Sequence, residues 1–373
     1  MMKEENDMLI QFGFMPKEQS ELSEEMKMNM LDMFRNALTN ELMKHDPSTG
    51  EIFADKKPRT FQEMSELMGN MVDSLNDMGL YDNIDREKPV KAQRAEPKYN
   101  IKDIIERIDN ELGSRQMLKF NTVITDTDIF DSKIGGVPYM PKDFEYPMGK
   151  GNYEGMPLQL IAQLNFERLP HIKDFPEKGI LQFFGSPNDA DYSYGMDYDE
   201  LTLQNGFRVI YHENIITDRS MLLSAEDMPP IESVDFPFDE NFTMLLEPVL
   251  TECKPTANCF EFYSRLLKYC GERCGCQIRT IKDMINNGFS KDEIDGIFQE
   301  RRNETTCMGG YPDFTQDDPR FDEKYADCDI LLFQSVSENY IMWGDCGIGS
   351  FFIPRDRLKA LDFSRVIFTW DCC

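Results

Sequence analysis

The chain has 373 residues, with 68 acidic against 40 basic side chains and a net charge of −28 at pH 7. Such a field repels nucleic acid and anionic membranes, whose binding needs Lys and Arg against phosphates. No apolar run reaches the roughly 18 residues of a membrane-spanning helix. Apolar residues make up 40% of the chain and aromatic residues 12%, enough for a real core. The length suits two to three domains at roughly 150 residues each. An acidic chain of this kind is either merely soluble or built to meet a basic partner.

Residues 1–98 are rich in Met and charge and poor in β-branched residues. From Ser20 to Lys44, Met26, Met30, Met33, Phe34, Leu38 and Leu42 recur at three- and four-residue spacings, which predicts an amphipathic helix. Ser20 or Ser23 would cap it. The run HDPSTGE at 45–51 predicts a turn. A second helix is predicted from Thr60 to Met78, with Met64, Leu67, Met68, Met71 and Leu75 on one face and Gly79 as its stop. Met-rich faces suit self-pairing, docking on the body or binding a partner. The polar stretch from Asp82 to Tyr99 reads as a linker. The first residues lack the apolar core of a secretory signal. The ten cysteines are therefore expected as reduced thiols and the location as cytoplasmic.

A third helix is predicted over 100–116, with Ile101, Ile104, Ile105, Ile108 and Leu112 on one face. MLKFNTVITDTDIF then alternates as strands do. SKIGGVPYMPKDFEYP is a rigid loop, since Gly permits positive φ and Pro fixes φ. LQLIAQLNF, ILQFFGSP and FRVIYHE are short apolar runs that read as buried strands. From Asp218 to Cys253 Pro and acids recur around the short run Met244-Leu245-Leu246, which reads as a connector or an irregular edge. Residues 257–301 are helical in pattern: Phe260, Tyr263, Leu266 and Leu267 share one face, and Ile281, Met284 and Ile285 another. Ser290 with an acidic first turn opens the last of these helices.

The C-terminal stretch repeats an earlier order. Gly135, Gly136 and Pro138 match Gly309, Gly310 and Pro312. Gln163 matches Gln334, and Gly179-Ile180 with Phe183-Phe184 matches Gly347-Ile348 with Phe351-Phe352. Arg208-Val209-Ile210-Tyr211 is aligned with Arg365-Val366-Ile367-Phe368, which sets His212 against Thr369. Internal repetition governs the architecture. The expected fold is α+β over 99–373: a duplicated, mainly antiparallel β-sheet unit, about 117–215 and 305–373, with a helical insertion at 257–301. A helical N-terminal region precedes it.

The order GGVPYMPKDFEYP, LIAQLNF, KGILQFF, FRVIYHE, GGYPDFTQDDPR, WGDCGIGSFFI and DFSRV resembles the YwqG-like family, a bacterial group of unknown function. The likeness runs from about Ile101 to the C-terminus. It implies a mixed, sheet-rich α+β body and supplies no reaction and no catalytic residues. A similarity of its members to toxin–immunity components leans toward protein binding.

Loops carry function more than strands do, so the candidate site is a cleft where the two repeats meet. Its expected residues are Gly136, Pro138 and Tyr139 from the first copy, with Lys142 and Asp143 near them. Gly310, Pro312, Gln316, Asp317, Asp318, Arg320, Trp343 and Asp345 come from the second. The three aspartates could serve as acid and base or bind a cation; Asp345 in a Gly-flanked turn also suits an Asx turn. Trp343 is either a ligand platform or a half-buried anchor. Cys270, Cys274 and Cys276 are a weak zinc candidate, with a fourth ligand from Cys253, Cys259 or Cys307, because their spacing departs from paired C-x₂-C knuckles. Asp189, Asp191, Ser193 and Glu200 have part of a calcium-loop spacing, with the Gly one position late. No cofactor is expected. With only His45, His171 and His212, and no G-x-S-x-G, Walker or dinucleotide motif, a nucleophilic triad is not supported. Two functions follow as expectations: a non-enzymatic, regulatory or immunity-like module for a basic protein partner, or a small-ligand or hydrolytic cleft between the repeats.

Overall fold

The computed structural model describes residues 43–45, 52–54, 98–188, 192–231 and 236–372. The chain divides into two compact units, Met1–Gln93 and Arg94–Cys373. In the first, Met43–His45 (β1) pairs antiparallel with Ile52–Ala54 (β2). Met43 and Lys44 are thus extended, and the helix predicted through Lys44 does not include them. Two strands flanking the predicted turn pair instead. The other helices and the linker expected in 1–98 lie outside the described residues.

The second unit opens with α1, Lys102–Leu112, whose Ile104 and Ile108 are buried as the isoleucine spacing requires. It then builds one ten-stranded sheet. Its strands are β3 (Arg115–Ile124), β4 (Lys133–Gly135), β5 (Gln159–Asn165), β6 (Ile180–Gly185), β7 (Phe207–His212), β8 (Thr243–Cys253), β9 (Cys307–Gly309), β10 (Ile330–Val336), β11 (Ile348–Ile353) and β12 (Ile367–Asp371). Their spatial order is β12-β11-β10-β9-β3-β8-β4-β5-β6-β7, and the neighbours pair antiparallel. The sheet curls into a nearly closed barrel. Phe207 on β7 meets Phe368 on β12 with ring centroids 5.5 Å apart, and the Phe368 N–H donates to Leu201 O.

The centre is a ten-residue ribbon of β3 and β8, registered from Arg115 against Cys253 to Ile124 against Met244. β8 is the segment that reads as a connector in the sequence, because Pro248 and Glu247 interrupt its apolar pattern. The structure removes the objection. Pro248 faces Phe120, whose N–H donates away from β8, to Thr306 O. The Pro248 nitrogen therefore points to the outer edge, where β4 has already ended at its pairing with Leu245. A missing N–H is tolerated at such a free edge.

On either side of the ribbon the two halves repeat each other. β8-β4-β5-β6-β7 corresponds to β3-β9-β10-β11-β12. The bulge between Leu160 and Ala162 on β5 recurs between Leu331 and Phe333 on β10. One buried side chain does the same work twice. Gln163 accepts from Tyr139 N and donates to Ile129 O and Asp131 O. Gln334 accepts from Asp313 N and donates to Asn303 O and Thr305 O. The duplication extends to β7 and β12, with a different register from that read in the sequence. Phe183 pairs with Val209 and Phe351 with Phe368, so Arg208 corresponds to Ile367 and His212 to Asp371. The sequence alignment is displaced by two residues, a shift that keeps every side chain on its face and so leaves the apolar pattern intact.

The inner faces of the halves pack on each other. Phe183 and Phe351, equivalent residues, meet at 4.6 Å, and Phe351 stacks on Phe368 at 4.6 Å. The outer face of the second half is covered by α1 and the inserted helices α2 (Phe260–Cys274), α3 (Ile281–Asn286) and α4 (Lys291–Glu300). Thr280 closes a capping box on α3, and Ser290 accepts from Glu293 N at the start of α4. Phe262, Leu266 and Cys270 of α2 join Ile104, Ile108, Phe352 and Ile367 in that core. A last short helix, α5 (Arg355–Lys359), precedes β12. Among the described residues no helix is long and apolar enough to cross a membrane.

The duplicated glutamine yields a paired expectation. Gln163→Leu and Gln334→Leu each strand a loop N–H and two carbonyls, and Gln163→Leu also strands a Gln182 N–H, at about 1–3 kcal/mol per unsatisfied group. Urea unfolding of both variants should show losses of at least ~2 kcal/mol, the larger in Gln163→Leu. A large loss in one half and none in the other would contradict their equivalence.

Candidate functional site

The residues expected to share a cleft are dispersed. Gly135 aligns with Thr243, and Gly309 with Met117, which opposes Thr251. The two Gly-Gly-x-Pro loops therefore sit eight residues apart along the ribbon, about 25 Å at the usual rise. Gly136 and Gly310 have φ of 70° and 74°, and each N–H is used by a ribbon strand, at Phe242 O and Gln116 O. A Cβ on Gly136 would lie 2.7 Å from Thr243 Oγ1. These loops, with buried Pro138, Tyr139 and Pro312, anchor the sheet. Lys142 and Asp143 lie on the exposed turn that follows Tyr139.

Arg320 is only 2% exposed. It is held by Asp318 and by both oxygens of Glu261, with Phe352 under its guanidinium at 4.9 Å. Burial opposes its charge, yet Asp318 and Glu261 outweigh that and hold it above the ordinary arginine value. Asp318 also accepts from Phe260 N, so it caps α2 from another segment. Gln316 and Asp317 are exposed beside it, where the Gln316 amide donates to Cys372 O. Trp343 is wholly buried rather than half-buried. Its indole N–H donates to Ser335 Oγ and its ring meets Tyr194 at 5.6 Å. Asp345 is exposed on the turn after it.

The cysteines also separate. Cys270 lies on the buried face of α2, while Cys274 and Cys276 sit 3.1 Å apart at its end. Among the described residues no group of three His, Cys, Asp or Glu is placed to hold a metal ion. Among the described residues eight cysteines are free thiols, but Cys346 is disulfide-bonded, against the all-reduced expectation. Asp189 and Asp191 lie outside the described residues. Ser193 Oγ bonds Tyr153, and Glu200 pairs with Lys324. Of the histidines, the side chain of His45 lies outside the described residues and exposed His171 faces Glu177 at 3.8 Å.

The structure assembles a different place, at the open end of β3. Thr122 and Thr306 both donate to Glu338, at 2.8 and 2.7 Å. Arg302 reaches Glu304 and the fully buried Asp313. Thr122, Thr306, Glu338, Arg302 and Glu304, with Lys119 and Thr315, line a half-open cleft of about 660 Å³. The loop from Glu338 to Met342 rises beside it, with Tyr340 74% and Met342 58% exposed, and Ile124 at the strand end is 50% exposed.

Behind the cleft the halves differ. In the first half Gln182 donates to Tyr139 O and Gln163 Oε1, and its own oxygen meets His212 Nε2 at 3.1 Å. Burial pushes His212 down to about 4. In the second half Ser350 and Asp371 occupy the positions of Gln182 and His212. Asp371 accepts from Thr315 N and Gln316 N through one oxygen. The other oxygen, Ser350 Oγ and Thr315 Oγ1 are buried without a well-formed hydrogen bond. Burial, with the Asp313 charge added, pushes Asp371 up against those two N–H groups. At this pair of positions one half is hydrogen-bonded, and the other is left with poorly met polar atoms beside a cleft.

Glu338, Thr122, Arg302 and Asp371 escape a sequence reading because they come from four separate segments. The polar run SVSENY straight after an apolar strand was the available signal. Thr122 and Thr306 direct their hydroxyls to one carboxylate, and no described histidine joins them, so the arrangement holds and orients rather than building a nucleophile–base pair.

A duplicated, curled antiparallel sheet with a polar cleft at its central strand defines a compact α+β domain. One family profile, described as a domain of unknown function (DUF1963), matches residues 132–372, and the chain belongs to that family. The match begins at Ser132, after β3, although β3 completes the second half of the sheet. A comparison with curated proteins found no match.

Two measurements follow. Arg320→Ala strands two buried carboxylates and should lower stability by about 3–5 kcal/mol, whereas Asp345→Asn should leave the unfolding midpoint in place. The second concerns pH. The folded pKa of His212, about 4, lies below its ordinary 6.5, so its stabilising contribution is complete above pH 6.5 and is lost as pH falls toward 4. That amounts to about 3 kcal/mol. The stability difference between wild type and His212→Gln should shrink by that amount from pH 7 to pH 4; a constant difference would contradict it.

Proposed function

We propose that the domain is a protein-binding module that takes up an extended, basic segment of a partner along the open end of β3. One observation carries this reading. β9 pairs with β3 only from Met117 to Lys119, and after Phe120 the outward backbone groups of Thr122 and Ile124 meet no partner among the described residues. Exposed Ile124, Tyr340 and Met342 stand beside that edge. An unpaired edge accepts a further strand through main-chain hydrogen bonds, with neighbouring pockets choosing the side chains. Tyr and Met are residue types favoured at interfaces.

Charge decides the partner. Glu304 and Glu338 lie on the cleft wall with Lys119 as the single unpaired cation among its lining residues, Arg302 is already neutralised by Asp313 and Glu304, and the chain as a whole carries −28. A cationic segment is drawn to such a surface, and its association slows as salt rises. The reading also accounts for a cleft that is half open rather than enclosed.

Phage-displayed peptides selected on the purified full chain test it. The selected sequences should be rich in Lys and Arg with alternating apolar residues, and binding should weaken with salt. Ile124→Lys and Tyr340→Ala, both on exposed side chains, should each weaken binding about tenfold. Selected peptides that ignore both substitutions, or that carry no basic bias, would sink the proposal.

A further inference from the structure

A second groove, distant in the fold from the β3 edge, has the opposite chemistry. It follows the seam where the ends of the curled sheet approach, between β7 and the 361–364 segment that leads into β12. The turn 202–205 and Lys150 close its sides, and its volume is about 610 Å³. The Lys150 N–H donates to Asn205 O, and Gln204 ties the turn to Phe363 O.

Arg208 projects here from β7. Its Nε is buried without a partner, and Nη2 makes one long contact, 3.4 Å to Met148 O. Most other arginines of the domain are met by carboxylates: Arg168 by Asp131, Arg219 by Asp128, Arg301 by Asp109, Arg355 by Asp174 and Asp329. Among the described residues neither Arg208 nor Lys150 forms an ion pair. Burial alone acts on the Arg208 guanidinium, lowering its pKa with no charged neighbour against it. In a chain with 68 acidic side chains, the groove is lined by no Asp or Glu at all. Asn205 and Ser364 add neutral donors, while Leu203, Leu361 and Phe363 supply an apolar floor.

A half-buried guanidinium without a counter-charge is unfavourable unless a ligand provides one. Arg forks suit carboxylate and phosphate oxygens. We infer that this seam binds a small amphiphilic anion, its carboxylate or phosphate head held by Arg208 and Lys150 and its short apolar tail lying along Leu203, Leu361 and Phe363. The head group is placed by the two cations and the neutral donors. The tail requirement separates such a ligand from free phosphate.

The test is calorimetric titration of the full chain with hexanoate, hexyl phosphate, inorganic phosphate and hexanol. Saturable one-to-one binding of hexanoate or hexyl phosphate is expected, weakened about tenfold or more by Arg208→Gln and by Lys150→Gln. The stronger of the two identifies the head group as carboxylate or phosphate. Hexanol should not saturate. Thermal unfolding gives a second readout: without ligand Arg208→Gln should melt at or above the wild-type midpoint, since it removes an unpaired buried charge. The inference is overturned if neither tailed anion saturates, if inorganic phosphate or hexanol binds as well as they do, or if both variants bind unchanged. A fall in the Arg208→Gln midpoint would overturn it too, by making Arg208 a structural residue.

Discussion

Two buried glutamines hold this sheet in its shape. Each takes the N–H of a Gly-Gly-x-Pro loop and gives both of its own protons to carbonyls of the segment that enters the following strand. An amide is the side chain that fits, because it alone donates twice and accepts from one planar group. The loop, the short strand and the long strand are thereby fixed to one another in each half. The positive φ of the glycines and the close approach of the ribbon serve the same junction. Because the interaction is buried, its loss is expensive, and because it occurs twice, both halves depend on it in the same way.

Duplication then permits divergence. The same pair of positions behind the edge strands holds Gln182 and His212 in one half and Ser350 and Asp371 in the other. The first pair is hydrogen-bonded through both ends of the Gln182 amide and leaves an interior histidine neutral. The second leaves hydroxyl and carboxylate oxygens unmet, under a cleft lined by Thr, Arg and Glu. Natural folds tolerate few such atoms, and their concentration in one half marks where the architecture has been relaxed. The β3 edge opens beside that half, so an unfinished strand and an unfinished polar cluster coincide.

Charge is distributed with similar economy. Arg320, the most deeply buried arginine among the described residues, is wrapped by Asp318 and Glu261 and serves the fold, capping α2 through its aspartate partner. Arg208 sits half-buried at the seam without any carboxylate. The two show how little residue type says about role. A guanidinium surrounded by carboxylates is already neutralised and locked, whereas one without them keeps its field for a ligand.

Much of the architecture is local in origin. The helices at 102–112 and 260–300 follow from apolar spacing and from Thr280 and Ser290 caps. The strands at 159–165, 180–185, 330–336 and 348–353 follow from short apolar runs bounded by Gly and Pro, and the duplication is legible in paired Gly-Gly-x-Pro, Gln and Phe-Phe positions. The central strand β8 was not legible, because whether Pro248 is tolerable depends on which edge its nitrogen faces. Nor was the register of β12, since a two-residue shift leaves the alternation unchanged. The expected cleft failed for a related reason: its residues are close in the order of each repeat, yet antiparallel pairing of the ribbon carries the two loops to opposite ends. Sequence alone determined most of the strands and helices, β1 and β8 excepted, because those preferences act between near neighbours. Which functional groups meet was decided only by the tertiary structure, because the curl of the sheet brings together residues more than a hundred positions apart.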